Sequence, residues 1–226
     1  MYNNKLKSII FDLDGTLIDT IADIGNSVND VLNEFSYKKR STNFYRDNVG
    51  GGIRDLLQRA LPKDHGRPID AYIEPLNRFY RKNLNKEAKV YPYVIDILDL
   101  LNNNNIPVAV ISNKPHEFTV ECVNKFFPDQ IDIVIGSGEE YPLKPDPKSA
   151  NYVLKKFNVD PKQSYFIGDS GFDIETARNT NMNSIGVLWG LSDEAKLSKF
   201  SPNLLFGKQI ELLSFLKTLI IKSLED

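Results

Sequence analysis

Five short runs rich in Ile and Val recur along the chain, and polar motifs follow four of them. They are Ser8–Phe11, Val108–Ile111, Ile131–Ile135, Tyr165–Ile167 and Ser184–Leu188. Continuous apolar runs of this length suit parallel strands that are buried on both faces. Helical patterns separate them at Val94–Leu101, Glu117–Phe126, Lys148–Phe157 and Ile174–Thr180, with Asn158 and Asn181 placed as helix stops. Strand and helix in alternation predict an α/β fold, a doubly wound parallel sheet. The stretch Ile18–Lys89 breaks the rhythm and holds no strand signal. Ile21, Ile24, Val28, Val31, Leu32 and Phe35 follow helical spacing, and a second helical run, Ile53–Leu61, follows Gly50–Gly52. Pro62 and Asp64–Pro68 then break the chain. The expected organisation is a core of residues 1–17 and 90–226 with a helical insert, 18–89, after the first strand. The amphipathic run Lys208–Leu224 is expected to close an edge of the sheet.

In an open parallel sheet, ligands bind beyond the carboxyl ends of the strands. After the first run comes Asp12-Leu13-Asp14-Gly15-Thr16, and after the second Ser112-Asn113-Lys114. Lys144-Pro145-Asp146-Pro147 lies in the loop after the third, and Gly168-Asp169-Ser170-Gly171-Phe172-Asp173 closes the fourth. Each motif alone also fits a capped turn or a solvated loop. Asp169 and Asp173, for instance, suit the cap of the helix at Ile174–Thr180. Four such motifs at successive strand ends instead predict one convergent site.

That site would hold Asp12, Asp14, Asp169 and Asp173 with Lys144. Carboxylates without imidazole or thiolate suit a hard cation, Mg²⁺, which binds through a few carboxylates and substrate phosphate. Lys144 would offset the remaining charge and hold the phosphate. Ser112 offers a hydroxyl, and Asn113 a backbone N–H, to phosphate oxygens. Asp12 at the strand end can attack phosphorus as a covalent nucleophile. Asp14 can protonate the departing oxygen and then take a proton from water. A calcium loop is a poor fit, because Gly15 directly follows the second Asp and the loop has no closing Glu.

Composition narrows the class further. The 226 residues, 41% of them hydrophobic, suffice for a core without disulfides. The formal net charge of −2 argues against nucleic acid. Lys38-Lys39-Arg40 is expected to be a solvated turn. Cys122 is the single cysteine, so no disulfide forms within the chain, and with His65 and His116 it makes a poor zinc set. Met1–Lys7 is polar with no long apolar stretch behind it, so neither a signal peptide nor a membrane partner is expected and a cytoplasmic location follows.

The ordered motifs resemble the haloacid dehalogenase superfamily in its phosphatase branch. The resemblance implies that the insert is a small helical cap domain. It implies that Asp12 is nucleophile and metal ligand, and that Asp14 is acid/base and ligates Mg²⁺ through its backbone carbonyl. Ser112 would bind phosphate, and Lys144 would steady Asp12 and the phosphate. Asp169 would ligate the metal, and Asp173 would hold the metal's waters or Lys144. The dehalogenase branch typically lacks the second aspartate, so Asp14 points to phosphate chemistry. Val49-Gly50-Gly51-Gly52, Ser112-Asn113-Lys114, Lys144-Pro145-Asp146-Pro147 and Gly186-Val187-Leu188-Trp189-Gly190 resemble phosphoglycolate phosphatases in particular. That family usually has Thr in place of Ser112, and Gly two residues after the proline matching Pro92, where this chain has Val94 preceded by Tyr93. The implied substrate is a small phosphorylated metabolite, with 2-phosphoglycolate first. Gly51 would allow close backbone approach to it, and Arg54 is the candidate reader of its carboxylate. Inorganic pyrophosphatase, sugar-phosphate phosphatase or mutase activity, or a non-catalytic phosphate-binding regulator, are the alternatives. A monomer or homodimer is expected.

Overall fold

The computed structural model describes residues 5–225, with no side chains described beyond residue 222. Residues 1–4 and 226, at the ends of the expected core, lie outside the described residues. The core sheet holds β1 (Ser8–Phe11), β4 (Val108–Pro115), β5 (Ile133–Ser137), β6 (Ser164–Gly168), β7 (Asn183–Val187) and β8 (Leu204–Phe206). β2 (Ile18–Asp19) and β3 (Lys89–Val90) form a separate antiparallel pair. The sheet order is β5-β4-β1-β6-β7-β8, all parallel. The pattern expected from the apolar runs is therefore present, with β1 at its centre and β8 as an added edge.

Alternation along the central strands builds two cores, because successive side chains leave opposite faces. Ile9 and Phe11 of β1 join Val108 and Val110 of β4 and Tyr165 and Ile167 of β6 on one face. α5 (Val94–Asn103), α6 (His116–Phe126) and α10 (Gln209–Glu225) cover that face. Ile10, Ala109, Ile111 and Phe166 leave the other face, under α7 (Lys148–Phe157) and α8 (Gly171–Asn179). α10 packs against α5 and β8, so it covers a face beside the edge strand as well as the edge.

The insert is helical, as its spacing indicates: α1 (Ile21–Glu34), α2 (Thr42–Asn48), α3 (Ile53–Ala60) and α4 (Ile73–Asn83), with α9 (Glu194–Leu197) following later in the core. Ile24, Val28, Leu32, Leu57 and Tyr72 close a core of its own. Phe118 of α6 enters that core and meets Tyr80 of α4 with ring centroids 4.8 Å apart. The expectation of no strand between Ile18 and Lys89 is corrected by β2 and β3. These are two-residue strands that clasp the chain where it leaves and re-enters the core, too short to carry an alternating pattern. Asn158 and Asn181 are left-handed, with φ of 54° and 57°, as helix stops.

Left-handed backbone also falls on Tyr93, with φ of 60°, at the N-cap of α5, whereas Val94 is helical and buried. The position that suits glycine is thus Tyr93, one residue before the one matched by sequence. An L side chain there costs about 1–2 kcal/mol. Tyr93→Gly should therefore be more stable than Tyr93→Ala by about 1 kcal/mol in chemical denaturation, since both lose the exposed ring and only glycine relieves the backbone. Equal stabilities would show that the turn carries no strain.

Candidate active site

The end of β1 directs Asp12 into a cleft between the sheet and the insert. Oδ1 of Asp12 accepts from the Leu13 N–H at 2.7 Å and sits 2.7 Å from Lys144 Nζ. Lys144 also donates to Asp173 Oδ1 at 2.6 Å. One buried ammonium is therefore shared by two buried carboxylates. Asp173 does two jobs, because its Oδ2 accepts from the Ser170 N–H and hydroxyl, at 2.9 and 2.6 Å, in a capping box. That cap starts α8 at Gly171, earlier than the periodicity alone indicates.

Asp169 follows β6 and accepts from Thr16 Oγ1 at 3.2 Å and from the Leu191 N–H at 2.7 Å. Gly15, with φ of 87°, lies against Asp169, and a Cβ there would collide with the carboxylate. The Asp12–Thr16 turn thus has to carry glycine at that point for Asp169 to reach the site. Trp189 Nε1 donates to the Thr16 carbonyl at 3.1 Å, bracing the same turn.

Oxygens of Asp12, Asp169 and Asp173 lie within 4.8 Å of one another. Burial is the chief cause that pushes the Asp12 carboxyl well above the usual carboxylate range, with Asp173 and Asp169 adding to it and Lys144 opposing. Burial, then the charge of Asp173, pushes Asp169 up to about 7. Lys144 is held protonated by Asp12 and Asp173 against its own burial. Three carboxylates around one lysine leave negative charge uncompensated. Their hard oxygen donors fit a divalent cation such as Mg²⁺.

Asp14 leaves the same turn in another direction. Its Oδ1 accepts from Thr20 Oγ1 at 2.6 Å and from Lys114 Nζ at 2.5 Å. Ser112 Oγ, at the end of the apolar part of β4, accepts the Lys114 N–H at 3.2 Å and lines the cleft. The Asn113 amide donates to the Gly50 carbonyl at 2.8 Å and accepts the Lys144 N–H at 2.7 Å. That side chain ties the insert to the lysine loop.

Residues 9–187 match the model of the haloacid dehalogenase-like hydrolases. The chain belongs to that family. A phosphoglycolate phosphatase of Haemophilus influenzae is 30% identical over 223 residues, covering 95% of this chain and 100% of that protein. One of Aquifex aeolicus is 28% identical over 222 residues, covering 96% and 100%. A haloacid dehalogenase-like family hydrolase of Streptococcus pneumoniae shares the fold with a TM-score of 0.83 at 25% identity, covering 96% of this chain and 100% of that one. This haloacid dehalogenase-like hydrolase is a phosphatase, and its substrate is a phosphorylated small molecule. Among the described residues no helix is long and apolar enough to cross a membrane.

In this phosphatase the cleft offers about 100 Å³ and gathers Asp12, Asp14, Ser112, Asn113, Lys144 and Asp169. Asp173 stands directly behind Lys144. Gly51 and Arg54 are placed elsewhere. Gly51 lies against Asp55, Arg54 pairs with Asp70 at 2.6 Å with half its side chain exposed, and both line a neighbouring groove with Tyr141 and Leu143. Several cleft residues have no role assigned from sequence, among them Arg46, Tyr80, Lys114 and Lys196. Lys114 was within reach of it, because β4 runs on to Pro115 beyond its apolar part and carries that lysine to the site. Arg46 and Tyr80 lie on helices of the insert, where no strand-end rule applies.

The raised carboxyl of Asp169 sets a sign. An unfolded aspartate titrates near ~4. Between about pH 4 and pH 7 the unfolded chain therefore loses this proton first, and the Asp169 contribution to metal-free native stability falls as pH rises. A cation must displace the retained proton. The rise in Tm produced by Mg²⁺ should accordingly be larger at pH 8 than at pH 6, measured by thermal denaturation with and without chelator. A Mg²⁺ effect that is equal at both pH values would place the cation away from Asp169.

Proposed function

We propose that the chain hydrolyses 2-phosphoglycolate in two steps through a phosphorylated Asp12, with Mg²⁺ as cofactor. The observation that carries the reading is the buried Asp12–Lys144–Asp173 arrangement beside Asp169, at one end of one sheet. Relatives named phosphoglycolate phosphatase, matched over nearly the whole chain, support the substrate. Asp12, Asp169 and the Asp14 carbonyl would hold the Mg²⁺, with Asp173 behind them, and bound there it would neutralise phosphate charge and orient the ester for in-line attack. Residues 18–89 act as a cap over the core 1–17 and 90–226.

Within this scheme Lys144 holds Asp12 by Oδ1, while Oδ2 accepts no hydrogen bond from the described residues and is the attacking oxygen. The bond from Asp12 to phosphorus forms as the bond to the glycolate oxygen breaks. Asp14 gives that oxygen a proton, because an alkoxide is a poor leaving group. Water then attacks phosphorus, Asp14 takes the water's proton, and Asp12 is released. Ser112 donates its hydroxyl to a phosphate oxygen, and Lys144 steadies the charge that builds there.

The carboxylate of the substrate needs a cation on the insert side of the cleft. Arg54 points into the neighbouring groove, and the cation from the insert that lines the cleft is Arg46. Its ion pair with Asp19 is long, 3.7 Å, and solvent-exposed, so it is weak and its guanidinium is available to a carboxylate. Charge-assisted hydrogen bonds contribute about 1.5–3 kcal/mol, or about 10–100-fold in binding. Arg46→Ala should lower kcat/KM for 2-phosphoglycolate by about that factor and leave 4-nitrophenyl phosphate nearly unchanged. A survey of kcat/KM over phosphoglycolate, pyrophosphate and sugar phosphates tests the substrate. A clear preference for pyrophosphate or a sugar phosphate would overturn it.

A further inference from the structure

We infer that Lys114 is a positioning residue, seated against Tyr80 of the insert, that fixes the Asp14 carboxylate for proton transfer to the leaving oxygen. The inference rests on the reading of Asp14 as acid and base. Lys114 reaches the site from the end of β4, yet its ammonium lies 2.5 Å from Asp14 Oδ1 and its side chain is 1% exposed. A buried ammonium needs partners, since an unpaired one costs far more than a surface charge. Lys114 finds one in each part of the molecule: Asp14 from the core, and the face of Tyr80 from α4, with Nζ 5.4 Å from the ring centroid. Tyr80 is buried and held in turn by Phe118 of α6.

The arrangement at Asp14 is asymmetric. Thr20 and Lys114 both donate to Oδ1, and no hydrogen bond from the described residues engages Oδ2. The two donors mark Oδ1 as the acceptor oxygen, which leaves Oδ2 to carry the proton into the cleft that Asp14 lines. The proton passes from Oδ2 to the ester oxygen as that oxygen keeps the electron pair of its broken bond to phosphorus. Lys114 gives up no proton in this step. It restricts the carboxylate to one rotamer and one polarity, and it does so while the Tyr80 face covers it.

Leaving-group dependence separates this role from simple packing. An alkoxide requires the proton, whereas 4-nitrophenolate leaves without it. Rapid-quench measurement of Asp12 phosphorylation in full-length Lys114→Met should show a loss of about 10²-fold with 2-phosphoglycolate and less than about fivefold with 4-nitrophenyl phosphate. Lys114→Gln keeps an N–H donor and fold-compatible polarity, and should show the same selectivity with a smaller loss. Adding Lys114→Met to Asp14→Asn should cost nothing further on the phosphoglycolate step. Equal losses on both substrates, a raised KM with an unchanged step rate, or losses that multiply in the double variant would each overturn the assignment. Wild-type protein inert on both substrates with Mg²⁺ would instead remove the phosphatase scheme on which it rests.

Discussion

One ammonium held between two buried carboxylates organises this molecule. Lys144 lies within 2.7 Å of Asp12 and 2.6 Å of Asp173, and all three side chains are nearly excluded from solvent. Taking three charges out of water is costly, and the mutual attraction offsets that cost only with close geometry and further hydrogen bonds. Every neighbouring element supplies some. The start of α8 contributes Ser170 to Asp173, β1 contributes the Leu13 N–H to Asp12, and β4 contributes Asn113 to the Lys144 backbone. The sheet order places the ends of β1, β4 and β6 side by side, so these contributions meet without long excursions of the chain. Adding Asp169 leaves the cluster short of positive charge, a donor set that fits a cation better than a closed ion-pair network.

The insert is bound to this centre by polar and aromatic threads. Gly50 accepts from the same Asn113 that holds the lysine loop. Phe118 of α6 packs into the core of the insert against Tyr80, beside Lys114. Lys196, from the segment after β7, reaches Asp47 of α2 at 3.1 Å across the mouth of the cleft. That exposed pair adds little stability but places opposite charges at the rim. The result is a small cleft whose floor is the acidic cluster and whose roof is helical, which suits a small phosphate ester better than a polymer.

Most of the sheet was legible because strands buried on both faces read as apolar runs, and the cleft was legible because ligand sites in such sheets lie beyond the ends of those runs. The acidic motifs, Ser112 and Lys144 were found on that basis and meet in the cleft. What escaped was short or lay outside the rule. β8 has three half-buried residues, and β2 and β3 have two each, too few for any periodicity to register. Asp173 could be read as a cap or as a site residue, and the structure uses one oxygen for each. Arg54 fitted a motif by position, but a helix turns its residues through every direction, and this one faces Asp70. Arg46 sits one helix earlier in the insert, in α2, with no local feature to mark it, and only the placement of α2 over the cleft brings it there.

Covalent phosphorylation of Asp12 is the step on which the proposed hydrolysis turns. Its most direct test is acid quenching of the protein during turnover of 2-phosphoglycolate labelled in the phosphate, followed by peptide mapping. Acid-stable label is expected on the peptide bearing Asp12, rising within the first turnover and absent from Asp12→Asn. Turnover without any labelled peptide, together with activity retained in Asp12→Asn, would contradict it and point to direct attack by water.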